Sequence, residues 1–437
     1  MKKILVFKTL IIFLLIFSGI SWSHADFAGV PDKRGSDAVL RTLNNWRWGG
    51  SLSFTYRNIG ARPIEIEIEN QMALTDMYFR AEGPALQDTP FLLEFALAAN
   101  GQPELYRLAV KNMTINRVEL EVGRFLIPFG RSNELYRPDL YPLVTKSLLY
   151  ASPGLDFVSR VSYPHPLFSS GYADTGIRMM YKPHAEPVWF PRKLTLYVVN
   201  GLQESPIRGR RPPDPRTFLI LDSVSGSDVD WGHEVNFLAD NNDTKNPGAR
   251  IEWDYGDAAY PSHFSRAAFV NGVSAGLSGL IGKYDIEDRL SNWVWGADVG
   301  LRRGQYRLTG EFISGEVQAK WVTLGTSADA TPPLIKDRYS ESGYSIQLEF
   351  PFSELSFSKQ TRAIFRGESF TRHGPVLNRL GEIFPDVPHI KTRVNKYSGG
   401  LNGQVNEYFM TKLEYGLWTF DQFSSIYQIL WSGVLSF

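Results

Sequence analysis

The chain has 437 residues with 46 basic and 46 acidic side chains, so it is formally neutral, and it contains no cysteine. Neutrality excludes recognition of nucleic acid by bulk charge, and the lack of cysteine excludes a disulfide framework. Aromatic residues make up 14% of the sequence, enough to place a ring at both ends of many segments.

The chain opens on Met1-Lys2-Lys3, runs through an apolar stretch from Ile4 to Ile20, and continues Ser21-Trp22-Ser23-His24-Ala25. A basic start, an apolar middle and small residues at 23 and 25 form the layout of a cleaved secretory signal, with the cut expected after Ala25. An uncleaved anchor is the alternative. Loss of Lys2, Lys3 and Lys8 with the signal leaves the mature chain slightly acidic. After Ala25 no run of about 18 apolar residues occurs, so no membrane-crossing helix is expected. Residues 26–45 read as a short periplasmic lead-in. An exported, cysteine-free, ring-rich chain with alternating segments fits a transmembrane β-barrel.

The alternation starts at Trp46. Trp46, Trp48, Gly50, Leu52, Phe54 and Tyr56 share one parity, while Arg47, Gly49, Ser51, Ser53, Thr55 and Arg57 hold the other. Period two denotes a strand with two unlike faces. Rings at both ends of the apolar row suit the two interfaces of a bilayer. Ile64-Glu-Ile-Glu-Ile-Glu-Asn70 puts Glu65, Glu67 and Glu69 on one side, either a cation-attracting row or a wet strand face near a turn. Val118, Leu120 and Val122 alternate with Arg117, Glu119 and Glu121.

Residues 130–172 carry many prolines and no sustained alternation, and a loop of that length needs a reason. Either it folds into the pore as a constriction, with Arg131, Glu134, Arg137, Asp139 and Lys146 as its charges, or it forms an extracellular lid or subunit contact. Arg208, Arg210, Arg211 and Arg216 sit in a second proline-rich loop, suited to bridging anionic lipopolysaccharide or simply solvated.

Further on, Ala249, Ile251, Trp253 and Tyr255 oppose Arg250, Glu252 and Asp254, and Trp293 to Leu301 oppose Asp298 and Arg302. A tight Arg302-Arg303-Gly304-Gln305 turn leads to Tyr306, Leu308 and Phe312, opposed by Arg307 and Glu311. Tyr344, Ile346 and Leu348 oppose Gln347 and Glu349, and Phe409, Leu413 and Tyr415 oppose Lys412 and Glu414. The last strand puts Tyr427, Ile429, Trp431, Gly433, Leu435 and Phe437 on one parity.

A charge facing lipid near the midplane costs about 2–4 kcal/mol. These strands carry several charges each, so their charged faces must line water and their ringed faces must meet lipid. An open sheet edge in hydrocarbon leaves backbone groups unpaired, so the sheet must close. At roughly ten residues per strand, the chain accommodates a closed antiparallel all-β barrel of 16 strands, with 14 or 18 as alternatives, around a water-filled lumen.

The inferred lumenal row carries Arg47, Arg57, Arg117, Arg250, Arg302, Arg307, Arg362, Arg366 and Lys412 against Glu119, Glu121, Glu252, Asp254, Asp298, Glu311, Glu349, Glu368 and Glu414. The two signs balance, which suits hydrated solutes or ions with weak charge preference. Neighbours such as Arg366 and Glu368 also read as mutually neutralising pairs. Enzyme chemistry has no anchor: HExxH and a phosphate-cradling glycine loop are absent, and His165, His184, His233, His263, His373 and His389 are scattered. No metal or cofactor is expected.

Glu121-Val-Gly-Arg-Phe-Leu-Ile-Pro-Phe-Gly130 resembles the 16-stranded porins grouped with the phosphate-selective porins O and P. Val199-Asn200-Gly201, the stretch Asp240 to Arg250, Gly400-Leu401-Asn402 and Lys412 to Tyr415 are also similar, so short matches are scattered over nearly the whole mature chain. The resemblance implies an outer-membrane homotrimer in a Gram-negative bacterium, with passive ion or solute transport through each subunit. The family's phosphate selectivity goes with rows of arginine and lysine, from which the balanced wall departs. Physically, Gly123 can host a bulge that leaves Arg124 off the lumenal row, Pro128 ends the ladder, and Gly130 releases the long loop. The final strand, with Tyr427, Trp431, Leu435 and Phe437, resembles the signal read by the barrel assembly machinery, and must pair with the first strand to abolish the edge. A scaffold barrel sheathing a partner, such as a multihaem electron-transfer protein, is the alternative function.

Overall fold

The computed structural model describes residues 46–59, 71–86, 89–97, 103–111, 117–135, 137–150, 172–183, 190–201, 203–204, 229–230, 244–255, 272–283, 291–322, 334–352, 360–374, 390–421 and 425–437. The signal and lead-in, the Glu65–Glu69 row, the arginine-rich loop, residues 151–171 of the long loop and every histidine named above except His373 lie outside the described residues.

Seven strands precede the second long loop: β1 (Arg47–Ile59), β2 (Gln71–Leu86), β3 (Thr89–Leu97), β4 (Pro103–Lys111), β5 (Val118–Leu126), β6 (Ala173–Tyr181) and β7 (Lys193–Val199). Two short strands, β8 (Gln203–Glu204) and β9 (Val229–Asp230), pair only with each other. Nine more follow: β10 (Asn246–Tyr255), β11 (Gly272–Lys283), β12 (Ser291–Arg303), β13 (Tyr306–Val322), β14 (Leu334–Phe352), β15 (Gln360–Gly374), β16 (Ile390–Gln404), β17 (Phe409–Phe420) and β18 (Ile426–Ser436). Apart from β8 and β9, these form one closed antiparallel barrel of 16 strands, each paired with its chain neighbours. The strand count and the closed all-β architecture agree with the expectation from alternation and length.

Closure joins β1 to β18. The register runs from Ser51 opposite Ser436 to Ile59 opposite Gln428. Phe437 extends the seam: its N–H donates to the Gly50 carbonyl at 3.1 Å, and the Gly50 N–H donates to its carbonyl at 2.9 Å. The Phe437 ring lies edge-on to Phe79, with centroids 6.0 Å apart.

Parity divides the wall as charge requires. Leu301, Leu308, Ile346, Leu348 and Leu413 are exposed on the outer face, while Arg302, Arg307, Glu349, Lys412 and Glu414 are buried on the inner one. Exposed rings flank the outer apolar band. Trp48, Tyr306, Phe352, Tyr408 and Phe437 sit near one end of the strands, and Trp295, Tyr344, Tyr397, Tyr415 and Tyr427 further along β12, β14, β16, β17 and β18. This is the surface of a membrane-spanning barrel. The chain passes between strands by short connections after Leu86, Arg303, Phe352 and Gln404, all at one end of the strands. The longest intervals between strands follow Leu126, Val199 and Gly374, at the other end of the strands. Gly304, with φ of 59°, makes the expected tight turn after Arg303.

The expected bulge at Gly123 is not where the register shifts. The β4–β5 and β5–β6 ladders run unbroken through it. Irregularities occur instead on the low-numbered strands, between Ser53 and Phe54, between Pro84 and Leu86, and between Glu94 and Phe95. Gly123 is required for another reason. Its φ is 124°, and a Cβ there would lie 2.2 Å from the Leu108 carbonyl oxygen. Arg124 donates through Nε to the Leu105 carbonyl at 2.8 Å. The ladder ends at Leu126, two residues before Pro128.

Replacing Gly123 by valine is expected to destabilise the barrel by about 1–3 kcal/mol, the usual cost of a forced left-handed conformation. Gly279→Ala, where nothing lies within 4 Å of the added carbon, should leave stability unchanged. Urea unfolding of the refolded barrels in detergent, followed by tryptophan fluorescence, measures both.

Candidate functional site

The segment from Ile127 leaves β5 and turns into the barrel. Its base is closed by its own backbone: the Ile127 N–H donates to the Tyr172 carbonyl at 3.0 Å. Asn133 staples the two ends, donating through Nδ2 to the Ile127 carbonyl at 2.8 Å and accepting from the Tyr172 N–H at 2.9 Å. Gly130, with φ of 62°, reverses the chain and donates its N–H to Ser278 Oγ at 3.1 Å.

Inside the barrel, carboxylates of the wall collect the loop's donors. Glu311 accepts from the Arg131 N–H at 2.9 Å, the Ser132 N–H at 3.1 Å, the Ser132 hydroxyl and the Tyr150 hydroxyl. Burial, reinforced by the Glu311 charge, pushes the Tyr150 phenol well above its usual pKa, so it remains a donor to that carboxylate. Glu368 accepts from the Ser147 hydroxyl at 2.7 Å and the Leu148 N–H at 2.9 Å. Glu414 accepts from the Thr145 N–H at 2.7 Å and hydroxyl at 2.6 Å.

Cations of the wall collect the loop's acceptors. Lys412 donates through Nζ to the carbonyls of Pro138, Tyr141 and Leu143, and lies 4.3 Å from the centroid of the Tyr141 ring. Arg366 donates to the carbonyls of Thr145 and Lys146, both at 3.0 Å. Lys396 donates to the Thr145 hydroxyl oxygen, and Asn402 Nδ2 to the Pro142 carbonyl at 2.8 Å. The partners come from β11, β13, β15, β16 and β17, so the loop is tied across the lumen to the inner wall. A loop backbone withdrawn from bulk water needs such partners, because each unsatisfied buried group costs about 1–3 kcal/mol.

A second tier is apolar. Phe125, Ile127, Phe129, Leu148, Leu149 and Tyr150 pack in one buried cluster with Tyr197, Leu280, Val294, Ile313, Phe370, Val394 and Trp418 from the wall. The loop therefore has a dry anchor as well as a charged one.

The expected wall charges sort into three groups. Glu311, Arg366, Glu368, Lys412 and Glu414 hold the loop. Arg250 pairs with Asp298 at 2.7 Å and Glu252 at 3.3 Å. Glu121 pairs with Arg178 and, at 3.6 Å, with Arg107, while Glu349 faces Arg362 at 3.4 Å and Arg307 at 3.9 Å. Glu119 pairs with Lys182 at 2.7 Å near a turn, Arg302 donates to the Gly304 carbonyl at 3.3 Å, and Asp254 and Arg57 are half-buried at their strands' far ends. Two expected wall residues stand at strand ends instead. Arg47 begins β1 and is exposed, and Arg117 is an exposed turn residue with φ of 73° before β5.

Of the loop charges, Arg131 donates to Ser274 Oγ at 2.8 Å. Arg137 pairs with Asp139 at 2.9 Å and Glu94 at 3.6 Å. Glu134 is exposed and Lys146 half-buried. Tyr427, Trp431 and Leu435 are exposed on the outer face.

Lys396 and Glu94 were missed. Glu94 lies within Phe91-Leu-Leu-Glu-Phe-Ala-Leu97, apolar on both parities, and Lys396 sits in a strand whose glycines and serines blur the pattern. The ladder partner was the available signal: Lys396 is opposite Glu368, and Glu94 opposite Arg80.

The loop leaves two cavities beside it. One of about 200 Å³ lies against β1, β2 and β16–β18 and includes Arg57, Asp76, Thr145, Lys146 and Trp418. A smaller one of about 40 Å³ lies against β13–β15 and includes Arg131, Lys146, Glu349 and Arg366.

No protein-family model and no curated protein matches the chain. Solved structures are similar in fold. OprB of Pseudomonas putida superposes with a TM-score of 0.50 at 8% identity, over 93% of this chain and 97% of that one. The outer membrane channel DcaP of Acinetobacter baumannii gives 0.45 at 10% identity, over 90% and 97%. OmpT, an outer membrane protein of Vibrio cholerae, in its trimer form gives 0.47 at 9% identity, over 90% and 99%. At these identities the likeness concerns the fold alone: the chain has the closed 16-stranded barrel fold found in porins.

Replacing Lys412 by methionine removes three charge-assisted bonds to the loop, each on the order of 1.5–3 kcal/mol. The loop is expected to loosen while the barrel persists. Trypsin should then cut after Arg131 and Lys146, which serine follows in both cases, in folded Lys412→Met barrels at least tenfold faster than in wild type, read by mass spectrometry of the fragments.

Proposed function

We propose that the protein is an outer-membrane porin through which small hydrophilic solutes or ions diffuse passively, with the loop from Ile127 to Tyr150 as the constriction. The observation that carries this reading is the loop's attachment inside the barrel, by bonds to Glu311, Glu368, Lys412 and Glu414 on the inner wall. A loop so held narrows a lumen without sealing its mouth. It also takes the space that a sheathed partner would need, which supports the porin over the scaffold.

Weak charge selectivity follows from the pairing of the wall charges, whose opposed fields largely cancel at the distance of a passing ion. In this reading, the resemblance to phosphate-selective porins extends to architecture and not to solute: the cations that could form a phosphate row already face carboxylates or loop carbonyls.

A homotrimer is supported by the height of the wall. Strands β3–β6 have 9 residues each and β7 has 7, against 17 in β13 and 19 in β14. At about 3.3 Å per residue and roughly 40° of tilt, the low side rises only about 18–23 Å, less than the apolar band of about 25 Å. Covering it with a neighbouring subunit removes the mismatch. Lipid and lipopolysaccharide then contact the tall side, and the barrel assembly machinery is the partner during insertion.

Two measurements test this. Purified protein in planar bilayers should give stepwise conductance in potassium chloride that added phosphate does not block; silence would sink the pore. In this cysteine-free chain, Val122→Cys and Ile177→Cys, on the low wall, should cross-link between copies while Leu348→Cys, on the tall wall, should not. The reverse pattern would place the contact elsewhere.

A further inference from the structure

The mid-lumen charges of the wall are already engaged. Arg250 faces Asp298, Arg366 faces Glu368 at 3.0 Å, Lys396 faces Glu414 at 3.5 Å, and Lys412 is enclosed by three carbonyls. Each of these cations is buried, Lys412 and Lys396 being 1% exposed, Arg250 4% and Arg366 5%. Their fields are therefore matched locally. The loop is different. Arg137 has Asp139 and Glu94, and Glu134 lines neither cavity.

Lys146 stands apart in three respects. It is only half-buried. It borders both cavities, the larger beside Arg57 and Asp76 and the smaller beside Arg131 and Glu349. Its ammonium takes part in no ion pair among the described residues. Its backbone is nevertheless fixed, because its carbonyl accepts from Arg366 at 3.0 Å, Thr145 before it is bound to Glu414, and Ser147 after it is bound to Glu368. A cation held by its main chain, with its head group uncommitted, is a fixed charge presented to whatever passes.

We propose that Lys146 is the specificity-determining residue of the pore: its ammonium gives both passages beside the loop a preference for small anions over small cations. This rests on the porin reading. The preference is modest, because one unpaired charge acts through water. At a separation of about 5–7 Å in water it shifts the local concentration of an ion roughly threefold, and at 1 M salt, where screening acts within about 3 Å, most of that is lost.

The test uses the absence of native cysteine. Lys146→Cys is assembled first and modified afterwards, with an aminoethyl thiol reagent that restores a positive charge or a sulfonatoethyl reagent that installs a negative one. Reversal potentials are read in a tenfold gradient of dilute potassium chloride. The aminoethyl form should match wild type. The sulfonatoethyl form should lower the chloride-to-potassium permeability ratio at least ninefold, since chloride alone falls about threefold per unit of charge while potassium rises in step, and the effect should shrink at 1 M salt. An unchanged reversal potential with conductance intact, or a thiol that neither reagent reaches in the open pore, would overturn the role of Lys146 while leaving the pore in place. A wild-type barrel without conductance would instead remove the porin reading itself.

Discussion

Everything in this molecule follows from one demand: in hydrocarbon, each backbone N–H and C=O must find a partner within the protein. The demand closes β1 on β18 along Ser51–Ser436 and carries the pairing as far as Gly50 and Phe437. Once the sheet is closed, period two leaves each strand one face for lipid and one for the lumen. Charge cannot go outward, so it goes inward. The inner wall of arginines and carboxylates is thus a consequence of closure and not an independent feature.

That inner wall then solves the loop's problem. A segment of irregular backbone inside a barrel has donors and acceptors with little water to receive them. Carboxylates at 311, 368 and 414 accept the donors, and Lys412 and Arg366 supply hydrogens to the carbonyls. Neither set would be stable alone. Buried carboxylates without partners are costly, and a buried loop without partners is too. Each makes the other's burial tolerable, and the apolar cluster around Phe129, Leu149 and Phe370 fixes the remaining freedom.

Alternation made the barrel legible. Trp293 to Leu301 against Asp298 and Arg302, and the turn at Gly304, read directly from sequence, because each side chain's face follows from its parity. The same reasoning placed Glu311, Glu349, Lys412 and Glu414 on the inner wall. It failed where parity is broken or hidden. Register shifts near Ser53, Pro84 and Glu94 cannot be seen in a string of residues, and Glu94 sits among apolar neighbours on both sides. Gly123 was read as a bulge, whereas its need is the close approach of the Leu108 carbonyl. The loop's destination depends on contacts between residues such as Thr145 and Glu414, far apart in sequence, which no local pattern encodes.

Charge balance takes its meaning from this geometry. The equal numbers of acids and bases exclude a strong field over the whole molecule, but they do not say which charges a solute meets. Pairs such as Arg250 with Asp298 are dipoles at the wall, and a dipole's field falls faster with distance than that of a lone charge. Lys412 donates to three carbonyl oxygens, whose negative ends are turned toward its head group. What remains for an ion beside the loop is the residue whose partners are all in its main chain. Selectivity in such a barrel is therefore set less by the sum of the wall than by the few head groups that the folding of the loop leaves over.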